Sequence, residues 1–271
     1  DGLGSTTGES LNVSVGFNDE NGIDFGYELP EINGTVFFDI TENGMQDVDE
    51  PGLESVLVTL EDGNGNVVAT TTTDADGYYS FDMLPGDYTV VVDQVDGLFP
   101  TTSSAVSVVV EYADETVDFG FGLDLNSFCG VSADGYTIGF WKNNLSKAIS
   151  GKTKGIQVDA ATLEAYTDML GVYALDALNP DDMQAAVDFL NARSSDEVDL
   201  LEKQLMGSEY NLANGAYIGG NEMLTEMFVY YGEYLVNHSA DYTRSELLEA
   251  KDWFDAYNNS HGGAIEGPTC Q

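Results

Sequence analysis

Between residues 123 and 135 the apolar residues of this chain change period, and that change limits the fold more than any other feature. Before it, short β-branched and aromatic runs are separated by Gly, Asp and Pro turns: Thr35–Asp39, Val56–Leu60, Val67–Thr72, Tyr78–Phe81, Tyr88–Val92, Val106–Tyr112 and Thr116–Phe119. In Tyr88-Thr89-Val90-Val91-Val92 successive side chains point to opposite faces, as in a strand. Seven short strands at this spacing predict a β-sandwich. After the change, apolar residues recur every three to four positions. Leu163, Tyr166, Leu170 and Tyr173 share one helical face. So do Leu224, Phe228, Tyr231 and Leu235, and again Leu247, Ala250, Phe254 and Tyr257. Helix starts are expected at Asn179-Pro180-Asp181-Asp182, with Pro at the first helical position. Capping boxes are expected at Ser194–Glu197 and Thr243–Glu246. The expected architecture is therefore multidomain, β followed by α. Residues 29–123 form a seven-stranded sandwich, 124–135 a linker and 136–271 a helical domain, with five helices between Asp159 and Asn259.

Charge narrows the function. The chain has 48 Asp and Glu against 8 Lys and Arg, a formal net charge of −40, and no Lys or Arg before Lys142. Such a surface repels nucleic acid and anionic lipid. It also repels itself, so bound cations, high salt or both are expected to stabilise it. No run approaches the roughly 20 apolar residues of a membrane span, so no membrane insertion is expected. No signal segment opens the chain, which for an exported protein implies a leader already removed. Cys129 and Cys270 fit no zinc spacing. They are expected to form a disulfide tying together the ends of the helical domain, in an oxidising compartment.

The strongest local motif is Asp39-Ile-Thr41-Glu-Asn43-Gly44-Met45-Gln46-Asp47-Val-Asp49-Glu50. Oxygen-bearing side chains at alternate positions, a Gly at the sharp turn and a final Glu at position 12 resemble a calcium loop of the EF-hand kind. Thr41 stands where Asp or Asn is usual, and the loop leaves a strand rather than a helix. The candidate Ca²⁺ site comprises Asp39, Thr41, Asn43, Met45, Asp47 and Glu50. A second acidic turn, Thr73-Asp74-Ala75-Asp76-Gly77, offers Asp74 and Asp76 as further ligands or as ordinary Asx-turn residues.

These residues carry a resemblance. INGTVFFDITENGMQDVDEPGLESVLVTLED, VVATTTTDADGYYSFDMLPGDYTVVVD and VDFGFG are similar to the B-type repeats of serine-aspartate-repeat surface adhesins, over about residues 29–123. The resemblance implies a prealbumin-like sandwich acting as a calcium-stabilised stalk or spacer. It implies Asp39, Asn43, Asp47 and Glu50 as ligands, with Asp74 and Asp76 as candidates. Some relatives carry a Lys–Asn crosslink, which this Lys-free domain cannot form. YTIGFWKNN, QLMGSEYNLANGA and WFDAYNNS resemble a helical domain of secreted bacterial proteins, a resemblance that implies no activity.

Trp141 and Phe140 read as core anchors, and the Asn pairs at 143–144 and 258–259 as helix caps. His238 falls near a helix C-terminus and His261 in a Gly-rich tail, with no nucleophile elbow, zinc-protease motif or phosphate loop. An enzyme is not expected. Sequons begin at Asn12, Asn33, Asn144, Asn237 and Asn258, permitting glycosylation.

One internal repeat bears on assembly. Leu11–Tyr27 aligns without gaps with Ala105–Phe121, matching Asp24-Phe25-Gly26 to Asp118-Phe119-Gly120. The second copy closes the sandwich, so residues 1–28 look like closing strands with no body of their own. Val13, Val15, Phe17, Ile23, Phe25 and Tyr27 need an apolar face, and an isolated hairpin is marginal in water. The segment is expected to pair with another copy by strand addition, head to tail. The alternatives are a fragment of a tandem array and a segment folded on its own domain. The functional expectation is a secreted structural protein of a cell surface or matrix filament. The competing expectation is an adhesin stalk whose helical domain binds a glycan or surface protein.

Overall fold

The computed structural model describes residues 4–5, 27–173, 180 and 182–270. The chain divides into two compact units, Asp1–Gly122 and Leu123–Gln271.

In the first unit a short antiparallel pair joins β1 (Gly4–Ser5) to β2 (Tyr27–Glu28). The sandwich follows as β3 (Glu31–Phe38), β4 (Leu57–Asp62), β5 (Val67–Thr72), β6 (Tyr78–Asp82), β7 (Gly86–Val92), β8 (Leu98–Pro100), β9 (Ala105–Val110), β10 (Glu115–Thr116) and β11 (Phe119–Leu123). One mixed sheet runs β10-β3-β11-β8, with β6 also pairing β3, and an antiparallel sheet runs β5-β4-β7-β9. The sandwich thus has nine described strands in two sheets, not the seven expected. The expected run Thr116–Phe119 splits into β10 and β11, both parallel to β3. Asp118, between them, turns its carboxylate to the Thr35 N–H (2.8 Å) instead of continuing a strand. β8 is three residues long and ends on Pro, too short to show a period.

Alternation produces the core. β3 buries Ile32 and Val36, β4 buries Val58 and Leu60, β6 buries Tyr79 and Phe81, and β7 buries Val90 and Val92. Tyr79 brings its hydroxyl inside and donates it to Val117 O at 2.5 Å. Gly34 is required beside that contact, because a Cβ there would stand 1.8 Å from Val117 O.

The second unit opens with a 3₁₀ turn, Leu125–Phe128, and continues with α1 (Ile138–Ile149), α2 (Ala160–Tyr173), α3 (Met183–Asn191), α4 (Glu197–Ala213), α5 (Glu222–Asn237) and α6 (Arg244–Asn258). The five helices expected between Asp159 and Asn259 are α2 to α6, but the unit has six described helices, not five. The addition is α1, whose Gly139 and paired Asn143-Asn144 weaken its helical signature, although Thr137 caps it through Phe140 N. α3 begins at Met183 with Asp182 as its cap, so Pro180 precedes the helix rather than opening it. Residues 179 and 181 of that expected start lie outside the described residues. α4 is capped by Asp196, not by a Ser194 box, whereas the Thr243–Glu246 box of α6 is present. The expected apolar faces hold: Leu163, Leu170, Phe228, Leu235, Leu247, Phe254 and Tyr257 are all buried. Phe128 also enters this core, edge-on to Phe228 (5.2 Å) and Trp253 (6.3 Å).

Candidate metal centre

Strand β3 delivers Asp39 to its own end with the side chain fully buried, and the Asp39 N–H is held by Phe121 O (2.9 Å). From this fixed point the carboxylate organises the loop. Oδ1 accepts from Asn43 N (3.1 Å) and Oδ2 from Gly44 N (2.8 Å). Gly44 has φ +76°, a left-handed turn conformation that favours glycine. The far end is closed by Glu50, also buried, whose Oε1 accepts from Thr41 N and Oε2 from Asp47 N, both at 3.0 Å. The loop is therefore folded around its first and last carboxylates.

Between them the oxygens converge. Thr41 Oγ1 lies 3.5 Å from Asp39 Oδ1 and 3.3 Å from Asp47 Oδ2. Asn43 Nδ2 donates to the same Asp47 oxygen at 2.9 Å, and Asn43 Oδ1 accepts from Met45 N at 2.7 Å. The Met45 side chain points to solvent. Among the described residues no group of three or more His, Cys, Asp or Glu could by itself hold a metal. The donor set of this loop is instead mixed: two carboxylates around a hydroxyl, with an amide and Glu50 alongside. Hard oxygens on a flexible loop suit Ca²⁺.

Asp74 and Asp76 are exposed on a separate turn. Asp74 Oδ1 accepts from Asp76 N (3.0 Å) and Tyr78 N (2.9 Å), which is Asx-turn chemistry. Gly77 in this turn has φ +76° and lies against strand β3, where a Cβ would meet Val36 O at 2.3 Å.

Residues 31–120 match the SdrD B-like domain. The loop lies wholly inside this B-like domain. Serine-aspartate repeat-containing protein E of Staphylococcus aureus is 36% identical over 137 residues, covering 45% of this chain and 12% of that protein. A bone sialoprotein-binding protein of Staphylococcus aureus is similar to the same degree and extent. This chain therefore spans about an eighth of the length of these relatives. A minor pilin of Streptococcus agalactiae is similar at TM-score 0.29 and 16% identity, over 36% of this chain and 45% of that one. A likeness that slight carries no argument.

In the helical unit Cys129 and Cys270 are joined, with Cα atoms 5.4 Å apart. Trp141 is a core anchor, stacked on Tyr210 (5.3 Å) and donating Nε1–H to Asn211 Oδ1 (3.0 Å). Asn258, expected as a cap, is instead a buried hub. Its Oδ1 accepts from Ser208 Oγ (3.0 Å) and Asn211 Nδ2 (2.7 Å), and its Nδ2 donates to Gln204 O (2.8 Å). Asn211 also binds Tyr136 through both N–H and C=O. Asn144 likewise pins a loop, accepting from Gln157 N at 2.7 Å, while Asn259 does cap α6. Sequence reasoning missed Asn211 altogether. The available signal was an Asn set among apolar residues in the last turn of α4, where a cap is the ordinary reading. His238 stacks on Tyr234 (4.1 Å) at the end of α5, and His261 stacks on Tyr136 (4.0 Å). None of the described helices is long and apolar enough to cross a membrane.

Proposed function

We propose that this chain is an extracellular structural module of a cell surface, in which Ca²⁺ held by loop 39–50 stiffens the B-like domain. The observation that carries the reading is the convergence of Asp39, Thr41 and Asp47 oxygens in a loop whose ends are closed by Asp39 and Glu50. Asn43 and the Met45 carbonyl would complete the coordination, and Asp74 and Asp76 are secondary candidates. The ion would offset two of the negative charges of a domain that contains no Lys or Arg. The match to the SdrD B-like domain and the disulfide both fit a secreted location. Relatives that include a bone sialoprotein-binding protein make surface-protein contact a fitting role for the larger protein.

The second part of the reading is self-assembly. Residues 1–28 pair with another copy by strand addition, giving a head-to-tail contact that propagates as a filament. Its support is the repeat between 11–27 and 105–121. Most of the segment, including Val13, Val15, Phe17, Ile23 and Phe25, lies outside the described residues. The β1–β2 pairing is an internal contact that this reading must accommodate. A ligand-binding role for the helical unit is less favoured. The half-exposed ring of Tyr136 has Phe140 and His261 stacked on it at 4.1 and 4.0 Å, which uses its faces for packing.

Two measurements test the reading. In low salt, EDTA should lower the melting temperature of the β unit and raise its protease sensitivity; an unchanged melt rejects calcium. Deleting residues 1–28 should leave a folded monomer where the whole chain assembles, and persistent assembly rejects strand addition.

A further inference from the structure

The helical unit contains a pair of acids in the wrong place for a solvated surface. Glu209 on α4 and Glu233 on α5 are both fully buried. No N–H or O–H donor among the described residues reaches either oxygen of Glu209. What faces it is the second carboxyl, Glu233, within hydrogen-bonding reach across the helix interface. The surroundings are apolar: Leu205, Leu212, Phe228 and Val229 are buried on the same two helices.

Compensating charge is scarce. The sequence has no Lys or Arg between residues 155 and 192. On α4, Lys203 directs its ammonium to Ala192 O, Glu202 is half-buried, and Tyr210 shares a hydrogen bond with Thr167. The elements packed on α4 are α1, α2, α5 and α6. Besides Glu233, α5 brings the buried Tyr234, whose ring stacks on His238. α2 brings Tyr166, bonded to Asn214, and α6 brings Tyr257 and Asp255, bonded to Ala216 and Gln204, and Lys251, whose ammonium is paired with Asp252. α1 brings Trp141, and its Lys147 is held by Gly155 O. Two ionised carboxylates in contact here would face both desolvation and mutual repulsion. One proton between them turns the contact into a charge-assisted O–H···O bond.

We propose that Glu209 and Glu233 form a buried proton-sharing dyad that clamps α4 to α5 in acid and loosens them as the pH rises. Burial first, and Glu233 second, hold the Glu209 carboxyl well above the ordinary carboxylate range. The sign follows. In the unfolded chain a Glu releases its proton at about pH 4.3. Above that pH the folded state holds more protons than the unfolded one, so stability falls with rising pH until the dyad itself ionises. The contribution is fully present below about pH 4 and is lost towards the raised folded value.

The test is a thermal melt of the whole chain followed by tryptophan emission. Both tryptophans, Trp141 and Trp253, are buried in this unit, so the signal reports it alone. Glu209→Gln replaces the shared proton with a permanent N–H donor to Glu233. It should raise the transition on the order of 5 °C at pH 8 and leave it unchanged at pH 4.5. Glu233→Gln should act likewise, and it preserves the test if the first variant misfolds. An infrared band of a protonated carboxyl should be present at pH 7 in the parent and reduced in either variant. A gap between parent and variants that does not vary with pH overturns the dyad. So does a parent transition that falls in EDTA by an amount both variants abolish, since a cation would then hold the pair.

Discussion

Glu50→Gln isolates what the closing carboxylate does for the loop. Glu50 is buried and its two oxygens each receive one backbone N–H at 3.0 Å, from Thr41 and Asp47. A glutamine keeps one acceptor and turns an NH₂ group towards the other donor. One charge-assisted bond is lost, worth about 1.5–3 kcal/mol. The N–H left facing that NH₂ group adds a buried-donor penalty of about 1–3 kcal/mol, and relief of repulsion opposes it, about 1 kcal/mol for the exposed Asp47 and more for the buried Asp39. The lost bond wins, leaving the metal-free β unit weaker by about 2 kcal/mol. For a domain of this size that is a fall in Tm on the order of 10 °C in EDTA. With Ca²⁺ the loss should be larger, because a ligand weakened tenfold in affinity contributes about 1.4 kcal/mol less. Calorimetry in EDTA and in calcium separates the two parts. The tryptophan-monitored transition of the helical unit is the internal control and should not move. If the β transition in EDTA stays within about 2 °C of the parent, the closing role assigned to Glu50 is wrong.

The other expectations concern the helical unit. Asn211→Leu leaves Trp141 Nε1, Tyr136 N and the Asn258 hub short of partners. It should cost about 3–5 kcal/mol and shift the emission of Trp141, whereas an unchanged denaturation midpoint would make the network ornamental. Reducing Cys129–Cys270 reopens a loop of sequence separation 141 and should cost up to about 5 kcal/mol by chain entropy. A chemical-denaturation series with and without reductant measures it, and coincident curves would contradict that account.

Legibility followed how strongly each residue's role is tied to its neighbours in sequence. β3, β4 and β7 could be read because strand alternation is local, and Ile32, Val58 and Val90 fall inside as their parity requires. The faces of α2, α5 and α6 could be read for the same reason. β8 and the split at Asp118 could not, since both depend on what β3 presents across the sheet. The segment 124–135 reads as a linker by its Ser, Gly and Asp, yet Phe128 packs against helices a hundred residues onward. Loop 39–50 was legible as spacing, while its closure by N–H donors was not. Glu209 was the hardest to see: in a chain with 48 acids, one more on an amphipathic helix looks solvated until a second helix covers it.

The Cys129–Cys270 bond also has a mechanical meaning. It places the first and last parts of the helical unit at one point, with 5.4 Å between their Cα atoms. A pull applied to the chain on either side of those cysteines travels through a covalent bridge. The six described helices between them belong to a closed side loop that carries no tension. The unit therefore cannot be drawn out to its contour length, and it adds almost no extension under load. Under oxidising conditions it behaves as a folded pendant on the line of force, and reduction alone would convert it into a spring.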